Sequence, residues 1–299
     1  MTKVNLQHIG TEKQNPETID LDKMTPLELV TVMNREDAKT VRAVQEALPQ
    51  IAKAVEVCTQ ALKAGGRMIY MGAGTSGRMG LMDAVECIPT FSSEQVIGLI
   101  AGGTGAFIRA VEGAEDSKDL AVSDLQSIAL DKKDVVIGIA ASGRTPYTIG
   151  GLEYAGKCGA KCISIACNRN AEISLYADVA IEVDAGPEVL TGSTRLKSGT
   201  CQKMICNMLS TATMVRIGKV YKNLMVDMKA TNEKLSARAV RILMQAADID
   251  EVRAEKALAE AKGNMKAAII LLQKKIPLAQ ALEKLQQAHG SVRAVLEEK

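Results

Sequence analysis

Five short runs of apolar residues recur in the middle of the chain, and each run ends in small or turn-forming residues. They occupy residues 67–72, 96–103, 134–142, 161–168 and 179–186. Continuous apolar strands that alternate with helical segments are typical of a parallel sheet covered on both faces. The sequence therefore predicts an α/β fold, an open parallel sheet flanked by helices.

Helical segments are indicated by apolar residues spaced three or four positions apart. The spacing predicts helices within residues 26–66, 107–128, 146–159 and 193–219. The first of these segments ends in a Gly-Gly pair, which is a typical stop signal for a helix. The last is rich in methionine and small residues, which favours a place in the core or at a subunit interface.

The composition changes from about Leu235, where Ala, Leu and Ile alternate with charged residues. Turn signals at Asp248, Gly263-Asn264 and Pro277 divide this stretch into three or more short helices. We expect this helical domain to be a scaffold or a dimer-packing element. The predicted domains are a helical segment at 1–56, the sheet domain at 57–220 and the helical domain at 221–299.

Charge and hydrophobicity restrict the possible partners. The chain has 299 residues, 47% of them hydrophobic, with 37 Lys and Arg against 35 Asp and Glu. The net charge of +2 provides no basic field for nucleic acid. The amino terminus lacks an apolar leader, and no run reaches the roughly 18 apolar residues of a membrane span. We therefore expect a cytoplasmic protein with a small-molecule ligand and no nucleic-acid or membrane partner.

Cysteine and histidine give little support for a metal centre. Seven cysteines, an odd number, lie mostly within apolar runs, as reduced core thiols do. Cys158, Cys162 and Cys167 are close in sequence, but their spacing lacks a C-x2-C pair and no histidine is near. The two histidines, His8 and His289, lie near opposite ends of the chain. We predict no metal and no cofactor, and we expect carboxylates to transfer protons.

A glycine-rich turn follows the first strand, where Gly72, Gly74 and Gly77 form G-x-G-x-x-G. A dinucleotide site would also need an acidic residue at the end of the next strand, and that strand ends in Gly-Gly. Thr75 and Ser76 instead add two hydroxyls beside the N–H groups of a helix start, where a phosphate is favoured. The turn is therefore interpreted as a phosphate site.

A second turn of the same kind follows the run at 134–142 and contains Ser142, Gly143 and Thr145, with Pro146 suited to the first turn of a helix. Turns at the carboxyl ends of parallel strands can converge on one anion. Simple tight turns and helix caps are the alternative for either turn alone. Arg78 and Arg144 hold matching places in the two turns, and pairing with a ligand anion or with local carboxylates are both possible.

Several longer motifs resemble one known family. GAGTSGR, DAVECIPTF, AVEGAED, GIAASGRTPY, GPEVLTGSTRLKSGTCQK and NLMVDMKATNEKL are similar to the corresponding segments of the N-acetylmuramic acid 6-phosphate etherases, whose sheet is a sugar isomerase (SIS) domain. The similarity runs from about Met24 to the carboxyl terminus. It implies cleavage of the D-lactyl ether of N-acetylmuramic acid 6-phosphate, by elimination and then addition of water, in peptidoglycan recycling.

The resemblance also implies catalytic roles for two glutamates. Glu86 matches the family's acid at the lactyl oxygen, and Glu115 is assigned by the same resemblance as the base at C2 of the sugar. Asp83, Glu112 and Asp116 are rivals, because on a helix Glu112 and Glu115 would share a face. A sugar-phosphate isomerase, or a silent sensor similar to the glucokinase regulatory protein, would also need the two turns but gives no reason for an acid at Glu86.

Helix geometry limits where Glu86 can act. A straight helix from Ser76 to Glu86 would separate them by about 15 Å at ~1.5 Å per residue, which is too far for one hexose. Either the chain folds back around residues 87–89, or Glu86 completes a site with another subunit. We predict a homodimer on this ground.

The segment from Gly186 to Lys197 is read as a loop that opens a helix at the border of the site. Glu188, Ser193 and Thr194 are its candidate ligand contacts, and Lys197 is also available to a sugar hydroxyl, a phosphate or the lactyl carboxylate. Helix capping is the alternative role for these residues.

Overall fold

The computed structural model describes residues 10–228 and 233–298. Contacts divide the chain into two compact units. One contains the described residues up to Val85 together with Gln95–Ser210, and the other contains Glu86–Glu94 together with the described residues from Thr211 onward. The domain limits proposed from the sequence, after residues 56 and 220, stay predictions.

The first unit is built on one parallel sheet of five strands. The strands are β1 (Met68–Gly72), β2 (Val96–Ile100), β3 (Val135–Ala140), β4 (Lys161–Ala166) and β5 (Val179–Glu182), in the order β2-β1-β3-β4-β5. Each lies within one of the five apolar runs, so the predicted α/β fold with an open parallel sheet is confirmed.

Burial on both faces explains why these strands are continuous apolar runs. Every residue of β1 and β3 is buried. Alternate side chains such as Ile69, Met71 and Val136 belong to one core cluster, which also includes Leu125 and Leu152 from the helices. Because both faces are packed, polar residues that would alternate along a half-exposed strand are absent from β1 and β3.

Helices surround this sheet. They are α1 (Pro26–Glu46), α2 (Leu48–Lys63), α3 (Gly74–Phe91), α4 (Lys118–Ser127), α5 (Pro146–Lys157) and α6 (Lys197–Arg216). α1 begins with a capping box, in which the Thr25 side chain accepts from the Glu28 N–H and the Glu28 side chain accepts from the Thr25 N–H. α3 is a single helix, although the division into contact units falls between Val85 and Glu86.

The predicted helix over residues 107–128 is wrong in its first half. The chain forms only short 3-10 turns at Thr104–Phe107 and Ala114–Asp116 before α4 begins at Lys118. Gly113 has φ of +73°, in the left-handed region, which ends any regular helix at that point. Ser117 then caps α4 by accepting a hydrogen bond from the Leu120 N–H.

The second unit contains short helices, as the sequence predicts. They are α7 (Glu233–Ala247), α8 (Glu251–Glu260), α9 (Met265–Lys274), α10 (Leu278–Gln287) and α11 (Val292–Glu297). Asp248 follows α7 with positive φ, Asn264 caps α9, and Pro277 precedes α10. Among the helices of this unit, α9 has the largest fraction of its residues buried, and it lies at the centre of the unit's core. In residues 10–228 and 233–298, no helix is long and apolar enough to cross a membrane.

Candidate active site

The two glycine- and hydroxyl-containing turns lie side by side at the carboxyl edge of the sheet. β1 and β3 are neighbouring parallel strands, and Gly72 is in register with Ile139. The strand order reverses direction between them, since β2 lies on one side and β4 on the other. Open α/β sheets bind ligands in the crevice at such a switch point. The fold thus brings both predicted phosphate turns to the edge where a small ligand would bind.

The first turn is shaped by glycines that let α3 start directly at the end of β1. A Cβ on Gly77 would lie 2.5 Å from the Gly72 carbonyl oxygen, and a Cβ on Gly72 would lie 2.7 Å from that of Ile139. Gly74, the first residue of α3, has φ of +52°. The first N–H groups of a helix have no acceptor within it, so this turn offers donors to a ligand.

The hydroxyls of Thr75 and Ser76 add to these donors. Neither hydroxyl forms a hydrogen bond with any residue in the described part of the chain. Ser76 is buried and Thr75 is half-buried. Two uncommitted hydroxyls beside a helix start suit a phosphate ester, which the positive end of the helix dipole also favours.

The second turn closes tightly at the end of β3. The Gly143 N–H donates to the Ala140 carbonyl oxygen at 3.0 Å, and the Ser142 Oγ accepts from the Arg144 N–H at 3.3 Å. Gly143 has φ of +73°, and a Cβ there would collide with Ala171. Thr145 precedes α5 without capping it through its side chain, so the first donors of α5 also face a potential ligand.

The two arginines of these turns are both held by the protein. Arg78 donates to the backbone carbonyl oxygens of Phe107 at 2.9 Å and Ala106 at 2.8 Å. Arg144 forms a long ion pair with Glu172, with 3.8 Å between Nε and the carboxylate oxygen. The sequence left ligand anions and local carboxylates as the two options for these side chains. Arg144 follows the second option, and Arg78 follows neither because its acceptors are carbonyl groups.

Glu188 is a buried cap of α6. Its carboxylate accepts hydrogen bonds from the N–H groups of Lys197 and Ser198 and from the Ser198 hydroxyl, each at 2.9 Å. A carboxylate at a helix start satisfies the free donors and the helix dipole, so this helix start is already occupied by an anion. Of the two roles considered for Glu188, the geometry is that of capping.

Ser193 and Thr194 lie in the turns between Glu188 and α6, close to the first phosphate turn. The Thr194 carbonyl accepts from the Gly199 N–H at 3.0 Å. A Cβ on Gly199 would lie 3.3 Å from Cγ2 of Thr75, so the first turn of α6 packs against the first turn of α3. The hydroxyls of Ser193 and Thr194 form no hydrogen bond with the described residues, which leaves them available to a ligand.

Glu115 is exposed on the 3-10 turn that follows β2. This turn packs against α5, and its neighbour Ala114 is buried in the core. β2 adjoins β1, so the segment with Glu115 leaves the sheet at the same carboxyl edge as the two turns. The expectation that Glu112 and Glu115 share a helix face is wrong, because Gly113 interrupts the chain between them.

Glu86 is exposed on α3. The helix continues through Pro89 to Phe91, so the alternative in which the chain folds back around residues 87–89 is wrong. Glu86 belongs to the second contact unit and Glu115 to the first, and their pairing in one reaction stays a prediction.

Asp83, a rival of Glu86, points into the protein. It is buried and its Oδ1 accepts a hydrogen bond from the Ser210 hydroxyl at 3.1 Å. Burial raises the pKa of this carboxyl, although hydrogen bonds from Ser210 and Tyr70 oppose the effect. Its other oxygen is buried without a partner in the described residues.

Lys197 is placed differently from its predicted role. Its ammonium group donates to the Glu36 carboxylate at 2.7 Å and to the Ala185 carbonyl oxygen at 2.9 Å. The pairing with Glu36 could not be inferred from the sequence, because Glu36 lies 161 residues away on another helix. The only local signal for a buried polar residue is that Glu36 shares the spacing of Val32 and Thr40 on the buried stripe of α1.

The cysteines are separate thiols. None of the seven forms a disulfide, and within the described residues no group of three or more His, Cys, Asp or Glu side chains could hold a metal ion. Burial raises the pKa of Cys162 to about 12, so this thiol stays protonated. His289 lies after α10, and His8 lies outside the described residues.

Models of two domain families match the chain. The glucokinase regulatory protein N-terminal SIS domain matches residues 50–156, and the SIS domain matches residues 114–212. Among solved structures, the chain resembles a phosphoheptose isomerase from Francisella tularensis, with TM-score 0.51 and 17% identity over 64% of this chain and 98% of that chain. A putative phosphosugar isomerase from Bacteroides fragilis gives TM-score 0.51 and 21% identity, over 72% of this chain and 97% of that chain. At these identities the two structures show the fold alone.

Curated relatives are similar over nearly the whole length. An N-acetylmuramic acid 6-phosphate etherase of Geobacillus sp. (strain WCH70) is 56% identical over 98% of this chain and 100% of its own. A protein of the same name from Mycolicibacterium smegmatis is 54% identical over 98% of this chain and 99% of its own.

Proposed function

Since the chain belongs to the N-acetylmuramic acid 6-phosphate etherase family, we propose that it cleaves the D-lactyl ether of N-acetylmuramic acid 6-phosphate. The products are N-acetylglucosamine 6-phosphate and D-lactate, a step in the breakdown and recycling of peptidoglycan amino sugars. The observation that carries this proposal is the pair of hydroxyl-containing turns side by side at the switch point between β1 and β3. Together they offer a dianionic phosphate ester two helix starts and several hydroxyls.

The reaction proposed is an elimination followed by an addition, which makes the enzyme a carbon-oxygen lyase. On the open-chain aldehyde, a base removes the proton at C2, and the electron pair forms a double bond between C2 and C3. The C3–O bond breaks and lactate leaves with a proton from an acid. Water then adds, with its hydroxyl on C3 and its proton on C2, which restores the saturated sugar.

Two carboxyl groups suit these proton transfers. An ether oxygen is a poor leaving group, so an acid must protonate it, and an opposed base must take the C2 proton. We assign Glu86 as the acid and Glu115 as the base, and the same groups can activate and deliver water. Exposure of both side chains supports this assignment over Asp83, which is buried and bonded to Ser210.

The proposal includes a homodimer in the cytoplasm. Glu86 lies on the same helix as Ser76, on the order of 15 Å along its axis, so one hexose cannot reach both within a single copy of α3. Val85 and Ile88, which flank Glu86, are 55% and 51% exposed, as apolar residues covered by a second subunit would be. Seven cysteines, none of which forms a disulfide, suit a reducing compartment. Full activity of a dilute, demonstrated monomer would contradict the dimer.

The test of the reaction is D-lactate release from N-acetylmuramic acid 6-phosphate in 18O-labelled water, with EDTA present. Mass spectrometry then locates the label in the two products. We expect the label at C3 of N-acetylglucosamine 6-phosphate and none in lactate, because the sugar side of the ether breaks and water adds to the sugar.

Two other outcomes would contradict the proposal. Label in lactate would show cleavage on the lactyl side of the ether oxygen. A folded protein that binds the sugar phosphate without releasing lactate would be a sensor or an isomerase instead.

A further inference from the structure

We propose that Lys197 and Glu36 are positioning residues, which hold the segment 185–194 where its hydroxyls meet the sugar phosphate. This inference rests on the proposed function for the identity of the ligand. It assigns a role to the amino-terminal helices, which carry none of the predicted site residues.

The ion pair is fully buried. The Lys197 ammonium lies 2.7 Å from a Glu36 carboxylate oxygen, and each side chain is 1% exposed. Burial alone would raise the pKa of Glu36, but hydrogen bonds from Lys197 and then Lys39 lower it to about 2. Glu36 is therefore ionised at neutral pH and opposes the buried positive charge of Lys197.

Lys197 binds the segment at two residues, Ala185 and Glu188. Its ammonium group donates to the carbonyl oxygen of Ala185 at 2.9 Å, just after β5. Its backbone N–H donates to Glu188 at 2.9 Å, at the start of α6. One buried residue therefore anchors the first part of the chain between β5 and α6.

The amino-terminal segment holds the same loop through neutral hydrogen bonds. The Asn15 side chain donates to the Pro187 carbonyl oxygen at 3.2 Å, and the Thr18 hydroxyl donates to that of Val189 at 2.8 Å. Asn15 and Thr18 are both buried. With α1 supplying Glu36 to Lys197, the amino-terminal region contacts the loop at two residues and the first residue of α6.

This loop adjoins the candidate phosphate site. Thr194 accepts the Gly199 N–H at 3.0 Å, and Gly199 packs against the side chain of Thr75 in the first phosphate turn. A shift of the loop would therefore move Ser193 and Thr194 relative to Thr75. Placement errors of about 1 Å are enough to weaken a binding or catalytic site strongly.

A buried ion pair is weak evidence for stability by itself. Replacing both charges with apolar groups is often neutral, whereas removing one leaves an uncompensated buried charge. Replacing both residues with apolar ones can therefore restore stability without restoring the hydrogen bond from Lys197 to Ala185. A variant of this kind distinguishes a positioning role from a purely structural one.

The experiment compares wild type, Lys197→Met and the double variant Lys197→Met with Glu36→Leu. Lys161→Met is the matched control, because it removes an exposed ion pair to Asp178 at the opposite edge of the sheet. For each protein we would measure Tm, KM and kcat for lactate release, the affinity for N-acetylglucosamine 6-phosphate, and hydrogen exchange in peptides covering residues 185–194.

We expect Lys197→Met to lower both Tm and affinity. In the double variant Tm should return towards wild type, while KM and the dissociation constant stay raised by about tenfold, the equivalent of one or two hydrogen bonds. The change in kcat should be smaller than the change in KM, and exchange in 185–194 should stay faster than in wild type. Lys161→Met should match wild type in all of these.

A double variant whose KM and loop exchange recover together with Tm would overturn the positioning role. Wild-type protein that neither releases lactate nor binds N-acetylglucosamine 6-phosphate would instead contradict the proposed function. In that case the exchange data still decide whether the ion pair holds the loop.

Discussion

Nε of Arg78 lies 2.9 Å from the carbonyl oxygen of Phe107, and a second nitrogen of the same guanidinium binds the carbonyl of Ala106. This contact joins the start of α3 to the irregular segment that follows β2. Because that segment continues to Glu115, Arg78 connects the proposed phosphate turn to the proposed base.

Replacing Arg78 with alanine should lower kcat for lactate release by at least about tenfold, because two charge-assisted hydrogen bonds are lost and the segment with Glu115 loses its attachment. Affinity for N-acetylglucosamine 6-phosphate should change by less than about threefold, as steady-state kinetics and calorimetry would show. Arg78→Lys should rescue poorly, since a single ammonium cannot reproduce the planar fork. Arg109→Ala, in the same segment, is the control. A collapse of affinity with kcat preserved would mean that Arg78 binds the ligand itself.

Ser142→Ala should weaken binding of the sugar phosphate by about tenfold, the effect of losing one hydrogen bond to a charged group. Ser127→Ala is the matched control, because Ser127 is an exposed hydroxyl at the end of α4, away from the carboxyl edge. Calorimetric titration with inorganic phosphate and with N-acetylglucosamine 6-phosphate gives the two affinities. Equal affinities for Ser142→Ala and wild type would remove this turn from the site.

Glu86→Gln should lower the rate of lactate release by at least about a hundredfold, because glutamine keeps the shape of the side chain but cannot donate the proton. The affinity for the sugar phosphate should stay within about threefold of the wild type. Glu115→Gln should also abolish release. Glu112→Gln is the matched control on the same segment as Glu115. If Glu112→Gln were the inactive variant and Glu115→Gln the active one, the assignment of the base would be reversed.

Asp83→Asn should stabilise the folded protein by about 1 kcal/mol near neutral pH, because a buried and incompletely paired carboxylate is replaced by a neutral amide. Burial raises the pKa of Asp83 in the folded state, so the folded state binds its proton more tightly than the unfolded state does. The free energy of unfolding of the wild type is therefore reduced above this raised pKa, where Asp83 is ionised, and it increases again as the pH falls.

The advantage of Asp83→Asn should accordingly shrink in acid and vanish below the ordinary pKa of 3.8, as urea unfolding at a series of pH values would reveal. Lactate release should stay close to wild type. If Asp83→Asn were stable but inactive, Asp83 would replace Glu86 as the assigned catalytic acid.

Gly77→Ala should destabilise the protein by about 1–3 kcal/mol, because the new methyl group would meet the Gly72 carbonyl oxygen at 2.5 Å and force α3 away from β1. Gly156→Ala, within α5, is the control. A Cβ there would meet no neighbouring atom within 4 Å, so the gain in helix propensity should stabilise the protein by up to about 1 kcal/mol. Thermal unfolding of Gly77→Ala and Gly156→Ala measures both changes in stability. Equal stability of Gly77→Ala and wild type would contradict the close approach of helix and strand.

Local patterns in the sequence determined most of the fold. Continuous apolar runs predicted the five strands, since a strand buried on both faces has no place for alternating polar residues. Asp248, Asn264 and Pro277 marked helix limits because their effects on the backbone are local. The pattern failed at residues 107–117, where the chain packs as irregular turns around Gly113 although its apolar spacing resembles a helix.

The two candidate phosphate turns could also be located in the sequence, because glycines, hydroxyls and a strand end occur together within a few residues. That they are neighbours required the strand order, which places β3 beside β1 although β2 lies between them in the chain. Sequence spacing carries no such information, since a parallel crossover can return to either side of the sheet.

The partners of charged side chains were decided only by the tertiary structure. Arg78 binds carbonyl groups, Glu188 caps α6, and Lys197 pairs with Glu36. A sequence reveals which groups carry charge, but their partners are selected by which distant segments the packing brings within about 3 Å. The chain's own composition and motifs thus specified a sheet with two turns suited to a phosphate, and packing across the sheet decided which side chains support those turns.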